Sequence, residues 1–377
     1  MKKLIAVLLV LALILVGVVA CRSTGGNPTE SPEVSSPQPT PGETTSQPPE
    51  ESPAVKPTAE PTAEPTAEPT IEPTQDPQKT VVRLGVISGP TGMGAAKLLS
   101  DAEKGATLNH YDYTIAADNT ELVPALTNGE VDIATVASNV ALNLYNKTDG
   151  AVKIIALGTQ GVLHILEGSG GTMVESLEDL EGETIYAVGQ GANPEYILRY
   201  LLQEQGLDPD EDVEIVFAQP AEIQTKLISG EIKYAMLPVP AATAAIIKGG
   251  GQVRAAVDLT DAWENSSSGS QLIMTAVVAR TEFIENNPEA VQAFLQEYEA
   301  SINFVNGNMD EAAEMIAGFG ITPNAAIAKQ AIPQCHLVYI DGRDMSRAIS
   351  DYFRVLYSVN PAAVGGSLPD DAIYYVP

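Results

Sequence analysis

The chain has 377 residues, enough for two compact units of ordinary domain size plus a segment outside them. Its 49 acidic and 20 basic residues give a formal charge of −29, which excludes nucleic acid or an anionic lipid surface as the main partner. Two cysteines (Cys21, Cys335) and three scattered histidines (His110, His164, His336) exclude a disulfide framework and a histidine- or cysteine-built metal centre, so neither metal nor cofactor is expected.

Lys2 and Lys3 precede an unbroken apolar run over 4–20, the layout of an export signal. The run ends in Val18, Val19, Ala20 and Cys21, which resembles the lipobox at which lipoprotein signals are cut and the cysteine is acylated. Cys21 is therefore the expected lipidation site, and the protein is expected on the extracellular face of the cell membrane, held there by lipid. An uncleaved anchor helix is the alternative, and it puts the protein on the same side. From 21 to 79 a tether follows: 14 of the 27 prolines fall between 22 and 79, aromatic residues are absent, and the unit PTAE begins at Pro57, Pro61 and Pro65. Such a composition builds no core, and as a polyproline-like spacer it reaches about 180 Å at full extension.

Strand and helix signals alternate in the remainder, 80–377, whose 39 acidic and 15 basic residues leave it at −24. Residues 81–87 form a β-branched run ending in the loop SGPTG at 88–92, and helical spacing follows over 93–103. Strand, helix, strand and helix are then expected at 111–116, 120–128, 132–136 and 138–145. The same alternation returns at 184–188, 194–205, 214–218 and 221–229, and helices are expected at 282–306, 309–317 and 344–358. This is an α/β fold with mostly parallel sheets covered on both faces.

A repeat at a distance of 101 residues organises the alternation: Gly129, Glu130 and an apolar residue lead into one strand, and Gly230, Glu231 and an apolar residue into another. In each copy the glycine stops a helix, so two similar lobes are expected. The first comprises 80–167 and 272–377, the second 168–271, with two crossings near 159–167 and 259–271 acting as a hinge.

The loop SGPTG at 88–92, the segment LTNGEVDIA at 126–134 and LEDLEGETIYAV at 177–188 together resemble the solute-binding proteins of ABC importers, in the group that handles nitrate, sulfonates, taurine and thiamine pyrimidine precursors. The resemblance covers essentially 80–377. It implies a two-lobed clamp of the type II periplasmic-binding-protein fold, a monomer that closes on a small solute and delivers it to a membrane permease.

In open α/β sheets ligands sit beyond the carboxyl ends of the strands, facing helix N-termini. Four segments occupy that position. The first is Gly89, Pro90, Thr91, Gly92 and Met93, where the glycines let backbone approach a solute and Thr91 offers a hydroxyl. Ser138 and Asn139 follow the next strand and read equally as solute contacts or as a helix cap. Gln190, Gly191 and Asn193 come third, and Pro238 opens the fourth, with Val239 and Pro240. The run from Gly189 to Pro194 resembles a dinucleotide fingerprint, but Pro194 replaces its third glycine, and nucleotide binding is rejected. Trp263, the only tryptophan, reads as a stacking wall for a ring or as a hinge-packing indole. None of the four segments contains Lys, Arg or His, which counts against an inorganic anion or sulfonate, but helix N-termini alone can hold an anion, so a sulfonate- or nitrate-like anion and a neutral heterocycle both stay open. No catalytic residue is expected, since no nucleophile elbow, CxxC pair or phosphate loop occurs. An enzyme or a ligand-sensing ectodomain on the same architecture is the competing reading.

Overall fold

A computed structural model of the chain describes residues 79–266 and 270–377. The export signal, Cys21 and the spacer through 78 lie outside the described residues.

The first group of elements is β1 (Val81–Ile87), α1 (Pro90–Met93), α2 (Ala96–Glu103), β2 (His110–Ala116), α3 (Asn119–Thr127), β3 (Ile133–Ala137), α4 (Ser138–Lys147) and β4 (Val152–Thr159). The second is β5 (Leu163–Glu167), β6 (Thr184–Ala187), α5 (Asn193–Glu204), β7 (Glu214–Phe217), α6 (Pro220–Ser229), β8 (Tyr234–Pro238), α7 (Ala241–Gly249) and β9 (Arg254–Asp258). Helix α8 (Leu259–Ser266) leads back to β10 (Thr275–Arg280), α9 (Thr281–Asn286), α10 (Pro288–Gly307), α11 (Met309–Gly318), α12 (Ala325–Ala331), β11 (Leu337–Asp341) and α13 (Gly342–Val359).

Two sheets result, ordered β11-β4-β10-β3-β1-β2 and β7-β6-β8-β5-β9. Both are mixed rather than mostly parallel. Strand β1 is parallel to β2 and β3, and β6 is parallel to β7 and β8, but β10, β11 and β5 run against their neighbours. The reversed strands share a cause. β5 and β10 each begin where the chain has just crossed between the sheets, at the carboxyl ends of the parallel strands, so they must run away from that edge. β11 starts at the same edge, with Leu337 opposite Thr159.

This pairing corrects two expectations. β5 belongs to the second sheet, so the first crossing shrinks from 159–167 to 160–162. The segment after 272, expected to be helical, supplies β10 and β11 as well. The repeat is reproduced in full: α3 and α6 start 101 residues apart, as do β3 and β8. Gly129 and Gly230 adopt φ of 74° and 75°, and in both copies the two residues after the glycine donate to the carbonyl at equivalent positions, Ala125 and Lys226. Left-handed backbone at the helix end is what selects glycine there.

Two expected helices are broken, each for a local reason. The helix over 93–103 is interrupted at Gly94, where the Ser301 hydroxyl of α10 donates to the Gly94 carbonyl at 2.6 Å and accepts from Leu98 N at 3.0 Å. A Cβ at Gly94 would lie 2.9 Å from Ile302, so glycine permits the approach of α10. The helix over 282–306 divides at Pro288, which has no N–H to continue the ladder.

Both faces of each sheet are covered. Val82, Leu84, Phe294 and Tyr298 fill one side of the first sheet, and Val136, Leu142, Tyr352 and Phe353 the other, all at 1% exposure or less. Complete burial of such side chains contributes about 1.5–3 kcal/mol each. Asp132, in the segment that carries the family resemblance, serves the fold. It is buried between Arg83 and Arg280, and Arg83 also donates to the Gly129 carbonyl. The pair clamps the turn at the amino end of β3, the end away from the cleft.

Candidate solute site between the lobes

The carboxyl ends of β1 and β3 in the first lobe face those of β6 and β8 in the second. Helix α13 packs against α5 on one flank and α12 against α7 on the other, so the lobes touch on both sides of the cleft.

After β1, Ser88 N donates to Ala116 O and Gly89 N to Ile321 O, at 2.9 and 3.0 Å. Gly89 has φ of 84°, and a Cβ there would meet nothing within 4 Å. It is a turn glycine with open space beside it. Pro90 and Thr91 are half-buried, and the Thr91 hydroxyl meets that of Thr275 at 3.4 Å. Gly92 and Met93 point the other way. A Cβ on Gly92 would stand 2.2 Å from the Ile87 carbonyl oxygen, and Met93 is fully buried with its sulfur 3.5 Å from Cys335. Both serve the core of the first lobe, which corrects their expected place beside the solute.

After β3, Ser138 is fully buried and donates through its hydroxyl to Ile273 O at 2.6 Å, across to the returning crossing. It does not cap α4: the N-cap is Ala137, without a side-chain bond. Asn139, 7% exposed, has a side-chain carbonyl oxygen with no hydrogen-bond partner among the described residues.

In the second lobe Asn193 opens α5 and donates through Nδ2 to Ser138 Oγ at 3.2 Å, a bond from one lobe to the other. Ser138 has already given its proton to Ile273, so here its oxygen can only accept. That fixes the amide orientation and leaves Asn193 Oδ1 buried without a partner among the described residues. Asn193 does not act as the N-cap, which is Ala192. Gln190 and Gly191 are exposed, and the Gly191 N–H is taken at 2.6 Å by Glu195, itself held by Arg199 at 2.9 Å. Glu195, in the first turn of α5, thus reaches back to a loop N–H just before the helix. After β8, Pro238 is half-buried, and Val239 N donates to Val162 O at 2.9 Å before a cis bond to Pro240. Thr243, in the first turn of α7 and not singled out from the sequence, is 2% exposed, and its hydroxyl has no hydrogen-bond partner among the described residues.

Trp263 is entirely buried, its ring 4.9 Å from Tyr200 of α5 and 5.5 Å from Tyr352 of α13, and its N–H reaches Ser270. Neither face is free for a solute, so the indole joins the two lobes at the hinge. The crossings meet at Gly161, where a Cβ would stand 2.1 Å from Thr260 and 2.8 Å from Leu272; His336 Nδ1, just before β11, lies 2.7 Å from the Gly161 carbonyl oxygen, and His164 Nδ1 lies 3.8 Å from Asp258. Burial lowers the His164 pKa, with Asp258 opposing and His336 adding to the shift, so the ring favours its neutral form. Among the described residues no group of three or more His, Cys, Asp or Glu side chains could hold a metal ion. What the cleft offers is hydrogen bonding: buried amides and hydroxyls between two lobes, with no cation in any of the four segments.

Comparison with known proteins agrees with this geometry. A protein of Brucella abortus (strain 2308) named as a binding protein is 25% identical over 241 residues, 63% of this chain and 71% of its own length. An ABC transporter from Parabacteroides distasonis superposes with a TM-score of 0.67 at 24% identity, covering 79% of this chain and 99% of the other. The periplasmic aliphatic sulphonate binding protein from Escherichia coli gives 0.65 at 16% identity, covering 80% and 93%. The model of the NMT1-like family matches residues 75–319, so the chain, built on the two-lobed fold of the periplasmic binding proteins, belongs to the NMT1-like family.

Proposed function

We propose that the protein is an extracytoplasmic solute-binding protein that captures a small molecule between its lobes and delivers it to the permease of an ABC importer, without catalysis. The observation that carries this reading is the bond from Asn193 to Ser138, which joins the lobes just beyond the carboxyl ends of β6 and β3, with the side-chain oxygens of Asn139 and Asn193 buried and unpartnered among the described residues. A solute that contacts both lobes binds the closed form better than the open one, and that difference is what shifts the population. The site comprises Gly89, Pro90, Thr91, Ser138, Asn139, Asn193, Pro238 and Thr243. Cys21 carries the lipid anchor, and the spacer lets a monomer work away from the membrane.

The test is a thermal-shift screen of small solutes on the full chain in detergent. A true ligand at a hundred times its dissociation constant adds about 2.7 kcal/mol of stability. Ser138→Ala should weaken binding of that ligand about tenfold, the worth of one lost hydrogen bond. A screen without binders, or a Ser138→Ala variant with unchanged affinity, contradicts the site. Acyl labelling of a Cys21→Ser variant tests the anchor separately: label should be lost, and retained label refutes lipidation there.

A further inference from the structure

We propose that the lobes part on one flank only: the C-terminal helix α13 straps the first lobe to α5 of the second, and the protein opens where α7 leaves α12. This rests on the capture reading above only in requiring lobes that move, and it adds which contact yields.

The strapped flank is built along one side of α5. Asn193, Tyr196 and Tyr200 are spaced by three and then four residues, so their side chains share a face over two turns. Each is met by a residue of the first lobe or of the returning crossing. Asn193 donates to Ser138 of α4 at 3.2 Å, and the Tyr196 hydroxyl accepts from Nδ2 of Asn360, the C-cap of α13, at 3.3 Å. The Asn360 amide is fixed in that orientation, since its Oδ1 accepts from Ala362 N at 3.0 Å. Tyr200 lies 4.9 Å from the ring of Trp263, which lies 5.5 Å from Tyr352 of α13, and Trp263 and Tyr352 are fully buried.

The other flank is chemically bare. Helix α7 reads Ala241, Ala242, Thr243, Ala244, Ala245 from its start, and α12 contributes Ala328 and Ala331 to the same apolar cluster as Ala242 and Ala245. Among the described residues no hydrogen bond or ion pair joins α7 to α12. An aromatic side chain buries about 150–250 Å², an alanine methyl far less. Parting α7 from α12 therefore uncovers methyl groups and breaks no bond, whereas parting α5 from α13 uncovers Trp263 and Tyr352 and breaks the bond from Asn360.

The chain's path agrees. Trp263 is carried by α8, which leads from β9 into the returning crossing, and Gly161 of the first crossing packs against Thr260 of the same helix. Strap and crossings share one side of the molecule, and rotation about an axis there moves the opposite flank most.

The experiment measures distance distributions between spin labels in the solute-free full chain in detergent, in a Cys21→Ser background. Gln203→Cys on α5 with Arg347→Cys on α13 reads the strap, and Lys248→Cys on α7 with Lys329→Cys on α12 reads the other flank; all four positions are exposed. The strap pair should give one narrow distance, and the α7–α12 pair a distribution at least about twice as wide. Equal widths, or a wider strap pair, overturn the proposal. A solute screen without binders removes capture instead and leaves the unequal flanks standing. Tyr200→Ala combined with Asn360→Ala should widen the strap pair at least about twofold. A strap pair that stays narrow in that variant, folded by circular dichroism, overturns the assignment of the strap to these contacts. The widths in the unaltered chain decide the proposal even where the double variant fails to fold.

Discussion

His164 shows how a single buried side chain links the hinge to pH. It lies 5% exposed on β5, its Nε2 has no partner among the described residues, and Asp258 stands 3.8 Å from Nδ1. An unfolded histidine titrates near 6.5, and burial lowers the folded value below that. The stabilising contribution of the neutral ring is therefore complete above about pH 6.5 and is lost as pH falls through the folded pKa. Melting temperature measured from pH 8 downward should drop less steeply in His164→Gln than in the unaltered protein. The difference is bounded by about 1.4 kcal/mol per pH unit for one proton. Identical slopes would show that His164 does not titrate with unfolding. At this scale the sequence was an uneven guide. Ser138, Asn139 and Asn193 stood out as polar residues after strands, but nothing in the sequence distinguished a cap from a bond to the other lobe. Glu195 went unread, although an acid in the first helical turn four residues after Gly191 is a signal for self-capping.

At the scale of elements, two glycines of one loop have opposite roles. A Cβ at Gly92 meets the Ile87 carbonyl at 2.2 Å, whereas one at Gly89 meets open space and only the positive φ opposes it. Gly92→Ala should cost about 1–3 kcal/mol through forced displacement of backbone, and Gly89→Ala about 1 kcal/mol through strain alone. Denaturant midpoints of the two variants check the order, and an equal or reversed order contradicts the packing described. The parallel core elements, from β1 through α4 and from β6 through α6, were legible because each couples an apolar run to a helix with a glycine stop. β4, β5 and β9 to β11 were not, because short buried runs such as Leu163–Glu167, which carries His164 and Glu167 inward, lack any alternation. Met93 was misplaced, and Trp263 left open between cleft and hinge, for a related reason: residue type marks a large side chain but not which side of the loop or hinge encloses it.

At the scale of the molecule, the folded part and the spacer should be separable. The spacer has no aromatic residues and 14 prolines, while Lys79, just after it, already donates to the carbonyls of Gly105 and Thr107 at 2.9 and 2.6 Å. Deleting 22–78 should leave the melting temperature within a few degrees, and a larger loss would reveal docking of the spacer on a lobe. The central claim, that solute closes two lobes upon each other, is tested most directly by the distance between spin labels at exposed positions on either side of the seam, Lys248→Cys on α7 and Lys329→Cys on α12, in a Cys21→Ser background that leaves only buried Cys335. Without solute the distribution should be broad and reach beyond the separation in this structure, collapsing to one short distance when a solute found by the screen saturates the site. A single short distance in both conditions, with solute demonstrably bound, would contradict it.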